Sequence, residues 1–175
     1  MGSRKQLMWI QGLLPLDIRK QIFDLYKRYN DDLDLSDHFL IYPPHLSFKR
    51  SFDCDRFEEV KDDLSELMKQ NGKIYCGRLY PHRISDMIWL RFDKEEEIIQ
   101  IHQMIDRFLN EKYQIVIDEY DRNYVPHVTL FRDDDEKKLD EMFLRIKDHI
   151  PEDEIFIDEI IIGARDREPT CFRIA

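Results

Sequence analysis

The chain has 175 residues, 42% of them hydrophobic and 37% charged, with a formal net charge of -10. That length suits one domain or two small lobes around a shared core, and the profile is that of a soluble globular protein with a heavily charged surface. The negative field excludes a grip on long nucleic acid, which needs a basic stripe to displace counterions, but leaves room for a small substrate of one or a few phosphates.

Leu7 to Leu14 reads as a buried strand ended by Pro15, too short to span a membrane and without the small-residue cleavage site of a signal peptide. Asp17 is placed to cap a helix carrying Ile18, Ile22, Leu25, Tyr26 and Tyr29 at helical spacing, and the acidic stretch Asn30 to Asp37 reads as a loop. Phe39 to Tyr42 is extended, Pro43-Pro44 forbids helix, and His45 to Lys49 continues as strand. A second helix runs from about Asp55 to Gln70, with Phe57, Val60, Leu64, Leu67 and Met68 on one face and Gly72 closing it.

Lys73 to Tyr80 and Met87 to Phe92 form two strands joined around Pro81 to Asp86 as a hairpin. Asp93 and Glu96 have capping-box spacing for a third helix, whose stripe is Ile98, Ile101, Ile105, Phe108 and Leu109. His102 lies beside that stripe and reads as packing. Gln114 to Ile117 is a strand, Asp118 to Asn123 a polar loop, and Val125 to Phe131 a strand again. A fourth helix, about Asp135 to Ile150, stops at Pro151; Ile155 to Ile162 and Thr170 to Ile174 complete the strands. Hairpins mixed with helices make an α+β protein rather than a regular βαβ array. Cys54, Cys76 and Cys171 have no CxxC spacing and point to reduced thiols in a cytoplasmic protein.

One internal match stands out. Tyr42-Pro43-Pro44-His45-Leu46-Ser47-Phe48 aligns with Tyr124-Val125-Pro126-His127-Val128-Thr129-Leu130. Ser and Thr supply only eight of the 175 residues, so a hydroxyl two places after a histidine is rare, yet it occurs twice in the same setting. Residues i and i+2 on a strand face the same way. His45 therefore shares a face with Ser47, and His127 with Thr129, while Leu46, Phe48, Val128 and Leu130 turn into a core. Two such strands related by a pseudo-twofold axis set a base and an acid on opposite sides of a phosphodiester, as in-line displacement requires. Imidazole suits both roles near neutral pH, and the hydroxyls can donate to the non-bridging oxygens. The HExxH and paired-cysteine spacings of zinc sites are absent, so the expectation is no cofactor and no metal.

These paired H-x-[ST]-apolar motifs resemble those of the two-histidine (2H) phosphoesterases, the 2'-5' RNA ligase-like or LigT-like group. The Pro-Pro-His-Leu-Ser context and Ile160-Ile161-Ile162-Gly163 look most similar to its YjcG-like branch. The resemblance covers nearly the whole chain. It implies a single bilobal α+β domain, residues 1–175, with two pseudo-twofold-related antiparallel sheets and outer helices around a central cleft. It also implies action on 2′,3′-cyclic phosphates, 2′-5′ linkages or related nucleotide esters. Carried over by position, His45 and His127 are the catalytic pair, and Ser47 and Thr129 the phosphate binders. Lys49 and Arg132 fall where basic residues often follow these motifs.

The partner expected is a small nucleotide or an RNA end, met by a monomer, with no long duplex and no membrane. The alternatives are a non-catalytic module that binds such a nucleotide and a metal-dependent hydrolase with the histidines as ligands. Tyr42 and Tyr124 read as core aromatics, with base stacking the functional alternative. Arg165 and Arg167 read as a solvated turn, and His82 as part of the hairpin turn.

Overall fold

The computed structural model describes residues 5–33 and 44–174, the side chains of 30–33 excepted. Tyr42, Pro43, His38 and the strand expected over Phe39 to Tyr42 lie outside that range. In chain order the elements are β1 (Gln6–Leu13), α1 (Leu16–Leu33), β2 (His45–Cys54), α2 (Phe57–Lys69), β3 (Ile74–Gly77), β4 (Leu79–Ile84) and β5 (Met87–Phe92). Then follow α3 (Glu96–Tyr113), a single turn α4 (Glu119–Arg122), β6 (Val128–Arg132), α5 (Glu136–Ile146), β7 (Ile155–Ile157), β8 (Glu159–Ala164) and β9 (Thr170–Arg173).

Among the described residues every strand pair is antiparallel. The strands form a four-stranded sheet in the order β2-β1-β8-β9, a three-stranded sheet β4-β5-β6 and a two-stranded ribbon β3-β7. Helix α3 packs on β2 and β3, α5 on β4 and β5, and α1 against α5. The fold is thus α+β, with several antiparallel sheets and flanking helices. Its core is built from the inward residues of β1, β2, β5, β6 and β8 together with the buried stripes of the helices. Among the described residues no helix is long and apolar enough to cross a membrane, and all three cysteines are free.

Several elements differ from the sequence reading, each for a local reason. Helix α1 runs on through Asn30 to Leu33, and Asp17 sits in its first turn rather than capping it. Asp93 does not cap α3; its carboxylate accepts from the Arg78 N–H at 2.7 Å, and Glu95 holds the cap position without a side-chain bond. Gln114 to Ile117 is not a strand, because Gln114 turns left-handed (φ 54°) at the end of α3 and starts a loop. Pro81 to Ile84 is strand rather than turn, and Pro81 is tolerated there because β4 is an edge strand needing no N–H from it. The run Ile155 to Ile162 breaks at Asp158 into β7 and β8, which join different sheets.

Candidate active site

Both motifs lie at sheet edges. His45 opens β2, an edge of the four-stranded sheet, and His127 immediately precedes β6, an edge of the three-stranded one. The two edge strands contact each other. Leu46, Phe48, Val128 and Leu130 are all at most 2% exposed, whereas His45, Ser47, His127 and Thr129 are half-buried. The alternation expected from the letters is therefore present in both copies.

The duplication extends to the backbone. Ser47 pairs with Gln11 of β1 and Lys49 with Ile10, so Phe48 bulges out of register. Thr129 pairs with Trp89 of β5 and Phe131 with Ile88, so Leu130 bulges in the same way. Each bulge follows the motif hydroxyl and lets two successive residues turn inward. Phe48 and Lys49 are buried in one copy, Leu130 and Phe131 in the other. Phe131 stacks on Tyr26 in the core, ring centroids 5.1 Å apart.

His127 is held firmly. Its Nδ1 donates to the Val125 carbonyl at 2.7 Å, which leaves Nε2 as the acceptor nitrogen in the neutral ring. The Trp89 indole lies flat against the imidazole, with centroids 3.7 Å apart and planes 16° apart. Burial holds the imidazole below its ordinary pKa; the Val125 bond partly opposes this, and the nearby charges of His45 and Arg91 lower it further. The Arg91 guanidinium is itself fixed by Glu95, with Nη2 at 2.7 and 2.9 Å from the two carboxylate oxygens. The buried indole N–H of Trp89 has no hydrogen-bond partner among the described residues.

The basic residues that follow the motifs do not join the histidines. Lys49 is 4% exposed and ion-paired with Asp106 at 2.8 Å and with Asp121, because the bulge at Phe48 turns it inward. Arg132 pairs with Asp86 at 3.1 Å, beside the turn of the β4–β5 hairpin. Arg167 pairs with Glu58 of α2 at 2.6 Å. His82 lies in β4, opposite Trp89, rather than in a turn.

Sequence reading missed the companions of His102. Its Nδ1 lies 2.6 Å from the Phe48 carbonyl and its Nε2 3.0 Å from the Asp121 carbonyl. Carbonyls only accept, so each bond calls for a proton on the ring nitrogen that makes it. The Asp106 carboxylate is 3.3 Å from Nε2, and burial pushes that carboxyl above its ordinary range while Lys49 and His102 pull it back. Ligand atoms of His102, Asp106 and Asp121 lie within 4.8 Å of one another, close enough to hold a metal ion. The Lys49 ammonium, however, already stands within ion-pair reach of both carboxylates. Tyr124 completes the group: its ring stacks on His102 at 3.8 Å, and its hydroxyl donates to the Ser47 carbonyl at 3.0 Å. The spacing His102–Asp106, one helical turn apart, was the available signal; Lys49 and Asp121 are too distant in sequence to be tied to it.

The model of the 2'-5' RNA ligase superfamily matches residues 16–169. The chain belongs to that superfamily. That membership supports an enzymatic activity. A crystal structure of a phosphoesterase is similar over 98% of this chain and 99% of its own, with TM-score 0.62 and 16% identity. E. coli LigT in apo form is similar over 99% and 96% (TM-score 0.59, 15% identity), and its complex with 3'-AMP over 98% and 97% (TM-score 0.57, 16% identity). At such identities the likeness is one of fold. No curated protein matches the chain by sequence.

Proposed function

We propose that this enzyme hydrolyses a small ribose phosphodiester, a 2′,3′-cyclic phosphate or a 2′-5′ linkage, with His127 as general base and His45 as general acid. The observation that carries the reading is the state of His127. Its Nδ1–H is committed to Val125 and its proton affinity is depressed, so Nε2 is a poised acceptor. Water gives its proton to Nε2 as its oxygen bonds to phosphorus; the ribose oxygen leaves from the opposite side and takes a proton from His45. Ser47 and Thr129, one on each motif strand, donate to the non-bridging oxygens as charge builds there.

The matching bulges at Phe48 and Leu130 support a pseudo-twofold, bilobal arrangement with the substrate between the two edge strands. That a LigT structure holds 3'-AMP agrees with a nucleotide ligand of the same size. The net charge of -10 favours a short substrate over a duplex.

The test is a panel of 2′,3′-cyclic AMP, a 2′-5′ dinucleotide, a cyclic dinucleotide and an RNA ending in a cyclic phosphate. Products are read by mass with and without excess chelator, and binding by calorimetry, with wild type, His45→Ala and His127→Ala. Hydrolysis by wild type alone is the expected result. Turnover abolished by chelator would favour the metal-dependent alternative, and binding without turnover the nucleotide-binding module.

A further inference from the structure

The buried charges around Lys49 lie beside the proposed catalytic groups and none of them enters the chemistry. We propose that Lys49, His102, Asp106, Asp121 and Tyr124 form a positioning device that fixes the strand of the first motif against the segment carrying the second. The proposal rests on the reading of His45 and His127 as the acid–base pair.

The contacts join the first motif to the segment ahead of the second, some directly and some through α3. From the first motif come the Ser47 carbonyl, the Phe48 carbonyl and the Lys49 ammonium, three consecutive residues at the free edge of β2. They are met by the Tyr124 hydroxyl, the His102 ring and the Asp121 carboxylate. Tyr124 and Asp121 lie three and six residues before His127. The Asp121 side chain also accepts from the Asp118 N–H at 2.9 Å, completing a capping box that locks the turn α4. His102 and Asp106 supply a rigid support from α3, one ring bonding both sides at once.

Packing alone does not require charge at this place. The residue after the bulge in the second motif, equivalent to Lys49, is Phe131, which is fully buried and stacks on Tyr26. Taking ions out of water is costly, and an apolar replacement of a buried network is often no less stable. What the network adds is direction: several bonds that are satisfied together at one separation of the two strands. In-line attack is sensitive to such separations, since a misplacement of about 1 Å costs on the order of 100-fold in rate.

The test uses Lys49→Met, which keeps the stem and removes the ammonium, and Tyr124→Phe, which removes one hydroxyl. Folding of each is checked by circular dichroism and thermal unfolding. The first readout needs no substrate. The His127 imidazole is titrated by NMR with and without His45→Gln, because the His45 charge acts on His127 only while the two rings are held close. In the wild-type background His45→Gln moves the His127 midpoint upward, and in Lys49→Met or Tyr124→Phe that response shrinks by at least about half. The second readout is turnover of 2′,3′-cyclic AMP, where kcat falls about 10–100-fold with KM changed by less than about threefold.

Folded variants that keep both the full titration response and wild-type kcat overturn the proposal. Loss of the response in a protein without any turnover upholds the positioning and refutes the proposed function. An intact response beside lost turnover refutes the positioning. If Lys49→Met does not fold, Tyr124→Phe decides alone.

Discussion

The Trp89 indole covers one face of the His127 imidazole at 3.7 Å, and the hydroxyl residue Thr129 is the register partner of the same Trp89. One side chain of β5 thus borders both His127 and Thr129, the proposed base and phosphate binder. Because burial is the foremost cause of the low His127 pKa, stripping the indole away should hydrate the ring. Trp89→Ala is expected to raise the His127 titration midpoint toward about 6.5, whereas Trp89→Phe, which keeps an aromatic face, should leave it nearer the wild-type value. An NMR pH titration of the ring decides the matter.

The same depression has a consequence for stability. A histidine that binds its proton less readily when folded contributes stability that is present above the unfolded pKa of about 6.5 and lost as pH falls through the folded value. Denaturant unfolding of wild type should therefore weaken between pH 7 and acid conditions more than unfolding of His127→Gln. Equal pH dependence in the two proteins would remove His127 from that balance.

Gly163 of β8 lies under the Trp9 indole, and a Cβ there would meet Trp9 Cε2 at 2.3 Å. Gly163→Ala should cost about 1–3 kcal/mol through overpacking. Pairing it with Trp9→Ala should return much of that loss, a coupling that urea unfolding of the double-mutant cycle measures.

The hydroxyls of Ser47 and Thr129 are proposed to meet developing charge rather than substrate in its ground state. Ser47→Ala and Thr129→Ala should each lower kcat by about 10–100-fold with little change in KM, less than loss of either histidine. Steady-state kinetics on the substrate identified by the panel will show whether the effect falls on kcat.

The strand alternation of the proposed site was legible before the fold was known, because its signal is local. His45-Leu46-Ser47-Phe48 and His127-Val128-Thr129-Leu130 carry their alternation in the letters, and the buried and half-buried positions follow it. The bulges were not legible: nothing at Phe48 or Leu130 announces an unpaired residue, and the inward turn of Lys49 depends on it. Nor was the Lys49–Asp106–Asp121–His102 network, whose members come from three separate stretches and meet only through tertiary packing. Capping geometry misled at Asp93, where a backbone N–H from Arg78 competed for the carboxylate, while a true capping box formed at Asp118 and Asp121.

The most direct measurement is the pH dependence of kcat/KM on 2′,3′-cyclic AMP in excess chelator, for wild type, His45→Gln and His127→Gln. If one imidazole must be neutral and the other protonated, wild type gives a bell whose limbs belong to the coupled pair. The acidic limb should lie below about 6.5, since His127 is held low in the free enzyme. The kcat profile should sit further toward alkali than kcat/KM, because bound phosphate favours imidazolium. Each Gln variant should lose about 10²–10⁴ in rate together with one limb of the bell. Full activity in chelator that stays flat from about pH 5 to 9, across the ordinary histidine range, would contradict the assignment of His45 and His127 as acid and base.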